Sequence, residues 1–134
     1  MNLHIIDTGV PHAVHFVENI AAYPVREMGQ KVRCHKVFEP DGTNVDFVEI
    51  RDKSTIAVRT YERGVEDETL ACGTGVVASC IISNLVHNVS QPVNALTQSK
   101  EVLKVYFKKD KNVFKDVYLE GKASIVFEGG LGYV

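Results

Sequence analysis

The sequence predicts an α+β domain in which a curled antiparallel sheet, a partial barrel, wraps around a central apolar helix. Much of the chain falls into short segments in which apolar and polar residues alternate, which is the pattern of half-buried strands. The segment 75–86 instead carries apolar residues all around a helical wheel, and such a helix is buried on nearly all sides. In a chain otherwise made of short strands, a curved sheet is the natural cover for that helix.

Turn residues divide the chain into these elements. Pro40, Asp41 and Gly42 form one turn, and Pro11 closes another that separates the first two strands. Pro24 suits the first position of a helix that continues over 25–31. The predicted strands are 3–7, 12–17, 45–50, 55–61, 102–108, 113–120 and 123–127.

Composition limits the classes of function. The 134 residues are enough for one domain, 1–134, that buries most of its apolar surface. The net charge of −2 gives no basis for a nucleic acid or an acidic membrane as partner. The apolar helix is too short, and too interrupted by polar residues, to span a bilayer. The first residues lack the charged region, apolar run and cleavage site of a signal peptide.

The cysteines indicate a reducing compartment. Their number, three, is odd, which argues against a secreted disulfide framework. Cys72 and Cys80 lie on one helix, roughly 12 Å apart along its axis, which is too far for a disulfide. No Cys or His pair has the spacing of a metal site, so no metal is expected. A cytoplasmic location fits this pattern.

Cys72 has the surroundings of a reactive thiol. It directly precedes Gly73, Thr74 and Gly75, which open the apolar helix. The positive end of the helix dipole is expected to lower the thiol pKa there, and the first N–H groups of the helix can hold a carboxylate. A basic sulfur beside an anion site suits removal of a proton from the carbon next to a carboxylate. The alternative is a small buried hydrophobic residue, the role expected for Cys80. The acidic residues 66–68 are expected to interact favourably with the same helix end.

These residues also resemble a known family. Residues 62–64, Glu-Arg-Gly, and 68–75, Glu-Thr-Leu-Ala-Cys-Gly-Thr-Gly, are similar to the signature of diaminopimelate epimerase. Three further segments resemble that family's C-terminal half in the same order, namely 7–14, 42–48 and 120–129. Val10 departs from the pattern, because many members carry asparagine there.

The resemblance implies an isomerase that interconverts LL- and meso-diaminopimelate, a step toward lysine and peptidoglycan, without a cofactor or metal. The family uses two cysteines, one on each face of the alpha carbon, and Cys72 would supply one of them. Its members have two similar halves, of which this chain resembles only the C-terminal one. We therefore expect an N-terminal half as partner and no appreciable activity of this chain alone. The initiator methionine suggests a separately encoded half or a shortened chain, and a homodimer is a further possibility.

The resemblance also assigns substrate-binding residues. Gly73 and Thr74 would hold the reacting carboxylate with their N–H groups. Asn44, Glu62 and Arg63 would bind the distal end of the substrate, with the carboxylate of Glu62 matching its ammonium group and the guanidinium of Arg63 matching its carboxylate. His12 is expected to support the site or to brace its turn.

Each assignment has a simpler alternative. A Glu-Arg pair is usually a solvated surface, Thr74 can cap the helix, and Asn44 can cap a turn. Two other functions also remain open: a two-thiol racemase similar to proline racemase, and a non-catalytic domain that binds a ligand or partner. The phenazine-biosynthesis-like isomerases share the expected fold but do not centre on this cysteine motif.

Overall fold

The computed structural model describes residues 1–133 and contains one curled sheet with two α-helices. The strands are β1 (His4–Asp7), β2 (Pro11–Phe16), β3 (Asn44–Ile50), β4 (Thr55–Glu62), β5 (Asp67–Thr69), β6 (Val93–Leu96), β7 (Val102–Asp110) and β8 (Val113–Glu120). The helices are α1 (Val25–Arg33) and α2 (Gly73–His87), and Lys36–Phe38 forms a short 3-10 turn. The strand order is β1-β2-β3-β4-β6-β7-β8, with β5 paired to β4. The predicted α+β class is confirmed.

The sheet is mixed, whereas a wholly antiparallel sheet was expected. β2 pairs with β3 in parallel, and β4 pairs with β6 in parallel. Parallel neighbours need a crossover connection, which is usually helical. The first crossover contains α1 and the second contains α2. The central helix is therefore also a connection between two parallel strands, and this was missed in the sequence.

The two helices cover opposite faces of the central strands. On β2, Val14 packs in the cluster around α2, while its neighbour Ala13 packs in the cluster around α1. On β4, Ile56 and Val58 face α2 and Ala57 faces α1. Strands covered on both faces have near-continuous apolar sequences. The middle of α2 is buried as predicted, whereas Gly73 at its start and the last turn, from Leu85 on, are exposed.

The end of the chain differs from the expectation of a final strand over 123–127. Residues 121–133 form no helix or strand, so the predicted strand 123–127 is wrong in this structure. Ile125 is 81% exposed and Phe127 is 82% exposed. A strand exists only where another strand accepts its backbone hydrogen bonds. The apolar residues of this segment favour a strand, but the sequence does not show which strand would pair with it.

Within residues 1–133, neither helix is both long and apolar enough to cross a membrane.

Gly29 lets α1 approach β4 closely. A β-carbon at this position would overlap with the Tyr61 side chain, which is itself buried in the core around α1. We expect Gly29→Ala to destabilise the fold, because an overlap with several Tyr61 atoms should cost about 2–3 kcal/mol, at the upper end for overpacking, which exceeds the roughly 1 kcal/mol by which alanine favours a helix over glycine. Urea unfolding would measure this, with the exposed Gln30→Ala on the same helix as control. An unchanged or higher unfolding midpoint for Gly29→Ala would contradict the close contact.

Candidate functional site

Cys72 occupies the N-cap position of α2, at the end of the short connection from β5. Its backbone is extended (φ −132°, ψ 110°), and its carbonyl oxygen accepts the first helical hydrogen bond from Val76 N–H at 2.8 Å. A Ser, Thr, Asp or Asn at this position would normally accept the free N–H groups of the first turn. The side chain of Cys72 makes no such cap bond. The N–H groups of Gly73 and Thr74 are therefore well suited to an anionic ligand.

A chain of polar contacts leads from Cys72 into the core. Cys72 Sγ lies 3.5 Å from Thr74 Oγ1, and Thr74 Oγ1 lies 2.9 Å from His12 Nε2. The other ring nitrogen, His12 Nδ1, is 2.6 Å from Asp46 Oδ2. Thr60 Oγ1 donates to the second oxygen of Asp46 at 2.6 Å. His12 and Asp46 are fully buried.

The turn between β1 and β2 is tied to the same helix end. Thr8 Oγ1 donates to the carbonyl oxygen of Thr74 at 3.0 Å. His12, which the sequence identified only as possible support, is thus held against the first turn of α2 through Thr74. The first turn of α2 is therefore held by two contacts, one from Thr8 in the β1–β2 turn and one from His12 on β2.

The pKa of the Cys72 thiol is raised, whereas the sequence predicted a lowered value. Burial of the sulfur is the largest cause, and the negative charges of Glu62 and Asp46 act in the same direction. The hydrogen bond with Thr74 and the nearby Gly75 N–H lower the pKa but do not outweigh burial. The helix end contributes as expected, but the sequence does not show how far the sulfur is withdrawn from water.

Asn44, Glu62 and Arg63 form a second group, where β3 begins and β4 ends. Asn44 Oδ1 accepts from Arg63 N–H at 2.7 Å, and Glu62 Oε1 accepts from Thr69 Oγ1 at 2.7 Å. Glu62 belongs electrostatically to the Cys72 site, because its charge contributes to the raised pKa of the thiol. The guanidinium of Arg63 donates to the turn carbonyls of residues 41 and 42, at 3.3 and 3.4 Å. That the Arg63 side chain shares a substrate site with Cys72 stays a prediction.

The acidic residues before α2 were expected to interact with the helix end, but their side chains bind arginines instead. The three ion pairs are Glu66–Arg33 at 2.9 Å, Asp67–Arg26 at 2.8 Å and Glu68–Arg59 at 2.6 Å. Asp67 and Glu68 lie in β5, which pairs with β4, and both of their carboxylates are engaged by these arginines. The helix end therefore keeps its positive partial charge for another anion.

A cleft of about 620 Å³ opens beside the first turn of α2, between β1 and β8. Gly73 and Thr74 line it together with Thr8. Its remaining walls are mostly apolar and include Phe114 and Leu119. Two of the predicted carboxylate-binding residues therefore face an open space large enough for a small molecule.

Asp46 and Thr60 were missed in the sequence, although Asp46 gives a recognisable signal. It is a charged residue between Val45 and Phe47, in a strand whose first five residues are all buried. A carboxylate in such a place needs hydrogen-bond partners, because an unpaired buried charge is very costly. Its partners lie on β2 and β4, so they could not be found without the strand order. Among residues 1–133, no three His, Cys, Asp or Glu side chains are arranged to hold a metal ion.

Comparison with protein families and with named relatives finds diaminopimelate epimerases in both cases. The family model described as diaminopimelate epimerase matches residues 4–126. The chain is 51% identical over 127 residues to a diaminopimelate epimerase of Aquifex aeolicus, covering 94% of this chain and 44% of the relative. It is 44% identical over 129 residues to that of Chlorobaculum tepidum, covering 96% and 49%. The chain thus spans about half the length of the relatives it matches.

Solved structures share the fold at low sequence identity. A phenazine biosynthesis protein of the PhzF family from Enterococcus faecalis has a TM-score of 0.54 at 20% identity, over 78% of this chain and 36% of that one. A probable proline racemase from Agrobacterium radiobacter has a TM-score of 0.50 at 14% identity, over 87% and 39%. These likenesses support the architecture alone.

The raised pKa of Cys72 predicts how its reactivity depends on pH. Because only the thiolate is alkylated, the rate at Cys72 should keep increasing above the pH at which an ordinary exposed thiol is fully ionised. Peptide-resolved mass spectrometry after timed iodoacetamide treatment would measure the three cysteines separately. Cys34, which is exposed, is the internal reference, and Cys80, whose pKa is raised by burial, should stay unmodified in the folded protein. If the Cys72 rate stops increasing at a lower pH than the Cys34 rate, burial is not the main influence on the Cys72 thiol.

Proposed function

Because the chain belongs to the diaminopimelate epimerase family, we propose that it forms one half of an active site that interconverts LL- and meso-diaminopimelate. In this proposal residues 1–134 are equivalent to the C-terminal catalytic half, and an N-terminal half is the partner. The observation that carries the proposal is the position of Cys72. It combines a half-buried thiol with the uncapped first turn of a buried helix, and Gly73 and Thr74 of that turn line an open cleft.

The reacting carboxylate of the substrate binds at the first turn of α2. The N–H groups of Gly73 and Thr74 donate to it, and the helix dipole favours its charge. Gly73 has no side chain that would keep the ligand away from the backbone. Removal of the alpha proton transfers charge into this carboxylate, so donors placed there stabilise the transition state.

Cys72 acts as acid in one direction of the reaction and as base in the other. Inversion requires a base on one face of the alpha carbon and an acid on the opposite face. The raised pKa keeps Cys72 largely protonated near neutral pH, which suits it to deliver a proton after a thiolate of the partner half has removed the first one. In the reverse direction Cys72 removes the proton and the partner thiol supplies it.

Asn44, Glu62 and Arg63 recognise the distal end of the substrate. Asn44 Oδ1 is already engaged by Arg63 N–H, which orients the amide so that Nδ2 is its donor group for a ligand. Glu62 suits the distal ammonium group, and the Arg63 guanidinium suits the distal carboxylate once it leaves the turn carbonyls. A substrate with a single charged head would make no use of the Glu62 carboxylate or the Arg63 guanidinium.

Two alternatives make different predictions. A proline racemase-like enzyme has no use for the distal group, because proline has no second charged head. A non-catalytic domain binds its ligand or partner without exchanging the alpha proton. Substrate choice distinguishes the epimerase from a proline racemase-like enzyme. Exchange of the alpha proton distinguishes it from a non-catalytic domain.

We expect the isolated chain to be inactive, and to become active when it is combined with the N-terminal half of a relative. The half from the Aquifex aeolicus protein is a suitable partner, because that relative is 51% identical to this chain. The measurement is alpha-proton exchange and inversion of diaminopimelate in deuterated water, with proline as the competing substrate. Full activity of the chain alone would contradict the half-site. A preference for proline would favour the racemase, and no exchange in the combined complex, with binding retained, would favour the non-catalytic domain.

In the combined complex, Arg63→Ala should reduce turnover of diaminopimelate strongly. Loss of one partner of a desolvated charged contact costs about 2–5 kcal/mol, which corresponds to roughly 30- to 5,000-fold in rate. Arg51→Ala is the matched control, because Arg51 follows the opposite end of β3 and pairs with Glu49. Equal rates for the two variants would remove Arg63 from the substrate site.

Cys72→Ala in the same complex should abolish inversion while a substrate analogue still binds, because the N–H groups of the helix end remain. Cys34→Ala is the control, since Cys34 is exposed at the end of α1. Calorimetric binding and the exchange assay together test this. Inversion by the Cys72→Ala complex would show that another group is the acid or base.

A further inference from the structure

We propose that Asp46 is a positioning residue that acts through His12 and Thr74 to give the Cys72 proton a path to a buried acceptor. The path is Cys72 Sγ, Thr74 Oγ1, His12 Nε2, and it ends at the ring that Asp46 holds. The proposal concerns the ionisation of the thiol itself, so it can be tested on this chain independently of the epimerase activity.

With Asp46 ionised and the His12 ring neutral, every hydrogen bond in this path takes one direction. An ionised carboxylate only accepts, so His12 carries its proton on Nδ1, facing Asp46 Oδ2 at 2.6 Å. In the neutral ring Nε2 is then an acceptor, and the Thr74 hydroxyl donates to it across 2.9 Å. The hydroxyl oxygen keeps its lone pairs for the Cys72 thiol at 3.5 Å. All donors therefore point from Cys72 toward Asp46.

Proton transfer along this path is balanced without another reactant. The S–H bond of Cys72 breaks as an O–H bond forms on Thr74, and the original hydroxyl proton of Thr74 moves to His12 Nε2. The products are a thiolate and an imidazolium ion, and the Asp46 carboxylate stabilises the imidazolium through Nδ1–H. The reverse movement restores the thiol.

The His12–Asp46 pair lies in the core, where burying a charged carboxylate is costly unless hydrogen bonds compensate. His12 and Asp46 are fully buried, and Thr60 satisfies the second oxygen of the carboxylate. A β-carbon at position 75 would overlap with Asp46 Oδ1 and lie 3.2 Å from the His12 ring. The second glycine of the Gly-Thr-Gly segment thus lets the first turn of α2 rest directly on the Asp46–His12 pair.

The charges around Cys72 make the role of Asp46 testable by the sign of its effect. The carboxylates of Glu62, on β4, and Asp46, on β3, both oppose the thiolate. On the β1–β2 side, Asp7 is exposed and accepts from Gly9 N–H in its own turn. If Asp46 acted only as a nearby charge, its removal would favour the thiolate and speed alkylation. If it acts through His12, its removal destabilises the imidazolium and slows alkylation.

The experiment measures the pH profile of Cys72 alkylation in the full chain by peptide-resolved mass spectrometry, with Cys34 as reference within each sample. Asp46→Asn should slow the reaction of Cys72 about tenfold at neutral pH, which corresponds to a shift of about one pH unit. Asp110→Asn, the same change at an exposed residue of β7, should leave the profile unchanged. A rate for Asp46→Asn equal to or above that of the unmodified sequence would overturn the proposal.

Variants of Thr74 test the same path without changing a buried charge. Thr74→Val removes the hydroxyl and should slow alkylation, whereas Thr74→Ser keeps it and should restore the original profile. In the Thr74→Val background, Asp46→Asn should no longer slow the reaction, because the connection is already broken. If Asp46→Asn fails to fold, as judged by circular dichroism, the Thr74 pair decides. Equal profiles for Thr74→Val and Thr74→Ser would then overturn the proposal.

Discussion

The contact between the first turn of α2 and the buried carboxylate of Asp46 determines the geometry of the site. A carboxylate inside a sheet that is covered on both faces is tolerated only when its oxygens are hydrogen-bonded. His12 and Thr60 provide these bonds from the neighbouring strands, and Gly75 allows the helix to settle on the pair. Because Thr74 is bound to His12, the start of the helix is fixed to the sheet by specific polar contacts as well as by apolar packing. The position of Cys72, at the N-cap, follows from this.

The parallel pairing of β2 and β3 explains how distant parts of the chain meet. In a parallel pair both strands begin at the same edge, and the register places His12 opposite Asn44. β4 runs antiparallel to β3, with Tyr61 opposite Val45, so its end arrives at that edge with Glu62 and residue 63. The crossover through α2 then returns the chain to the same sheet. The parallel crossover through α1, which was not expected from the sequence, is therefore the reason that His12 and Asn44 lie next to each other at one edge of the sheet.

The parts of the fold that could be predicted are those that depend on local sequence. Alternation located most strands, and the apolar helix around Val76 and Ile81 required burial wherever it lay. The parts that were missed depend on partners. β6 is four residues long and is recognisable only through its pairing with β4 and β7. The segment 123–127 is largely apolar, as a buried strand is, but pairs with nothing in residues 1–133. Similarly, a helix end beside Cys72 is visible in the sequence, whereas the burial that reverses the sign of its pKa shift is not.

The raised pKa of Cys72 has a further consequence for the proposed reaction. A substrate carboxylate at Gly73 and Thr74 adds a third negative charge near the thiol, besides Glu62 and Asp46, and so favours the protonated form still more. A distal ammonium bound by Glu62 has the opposite effect, because it neutralises one of those charges. An acid that must also serve as base in the reverse direction works best when neither form is strongly favoured. The diamino diacid brings both charges together, and the path through Thr74 to His12 gives the remaining proton a place to go. On this argument the substrate's two heads do more than set specificity, since the distal ammonium offsets the effect that the reacting carboxylate has on the pKa of the thiol.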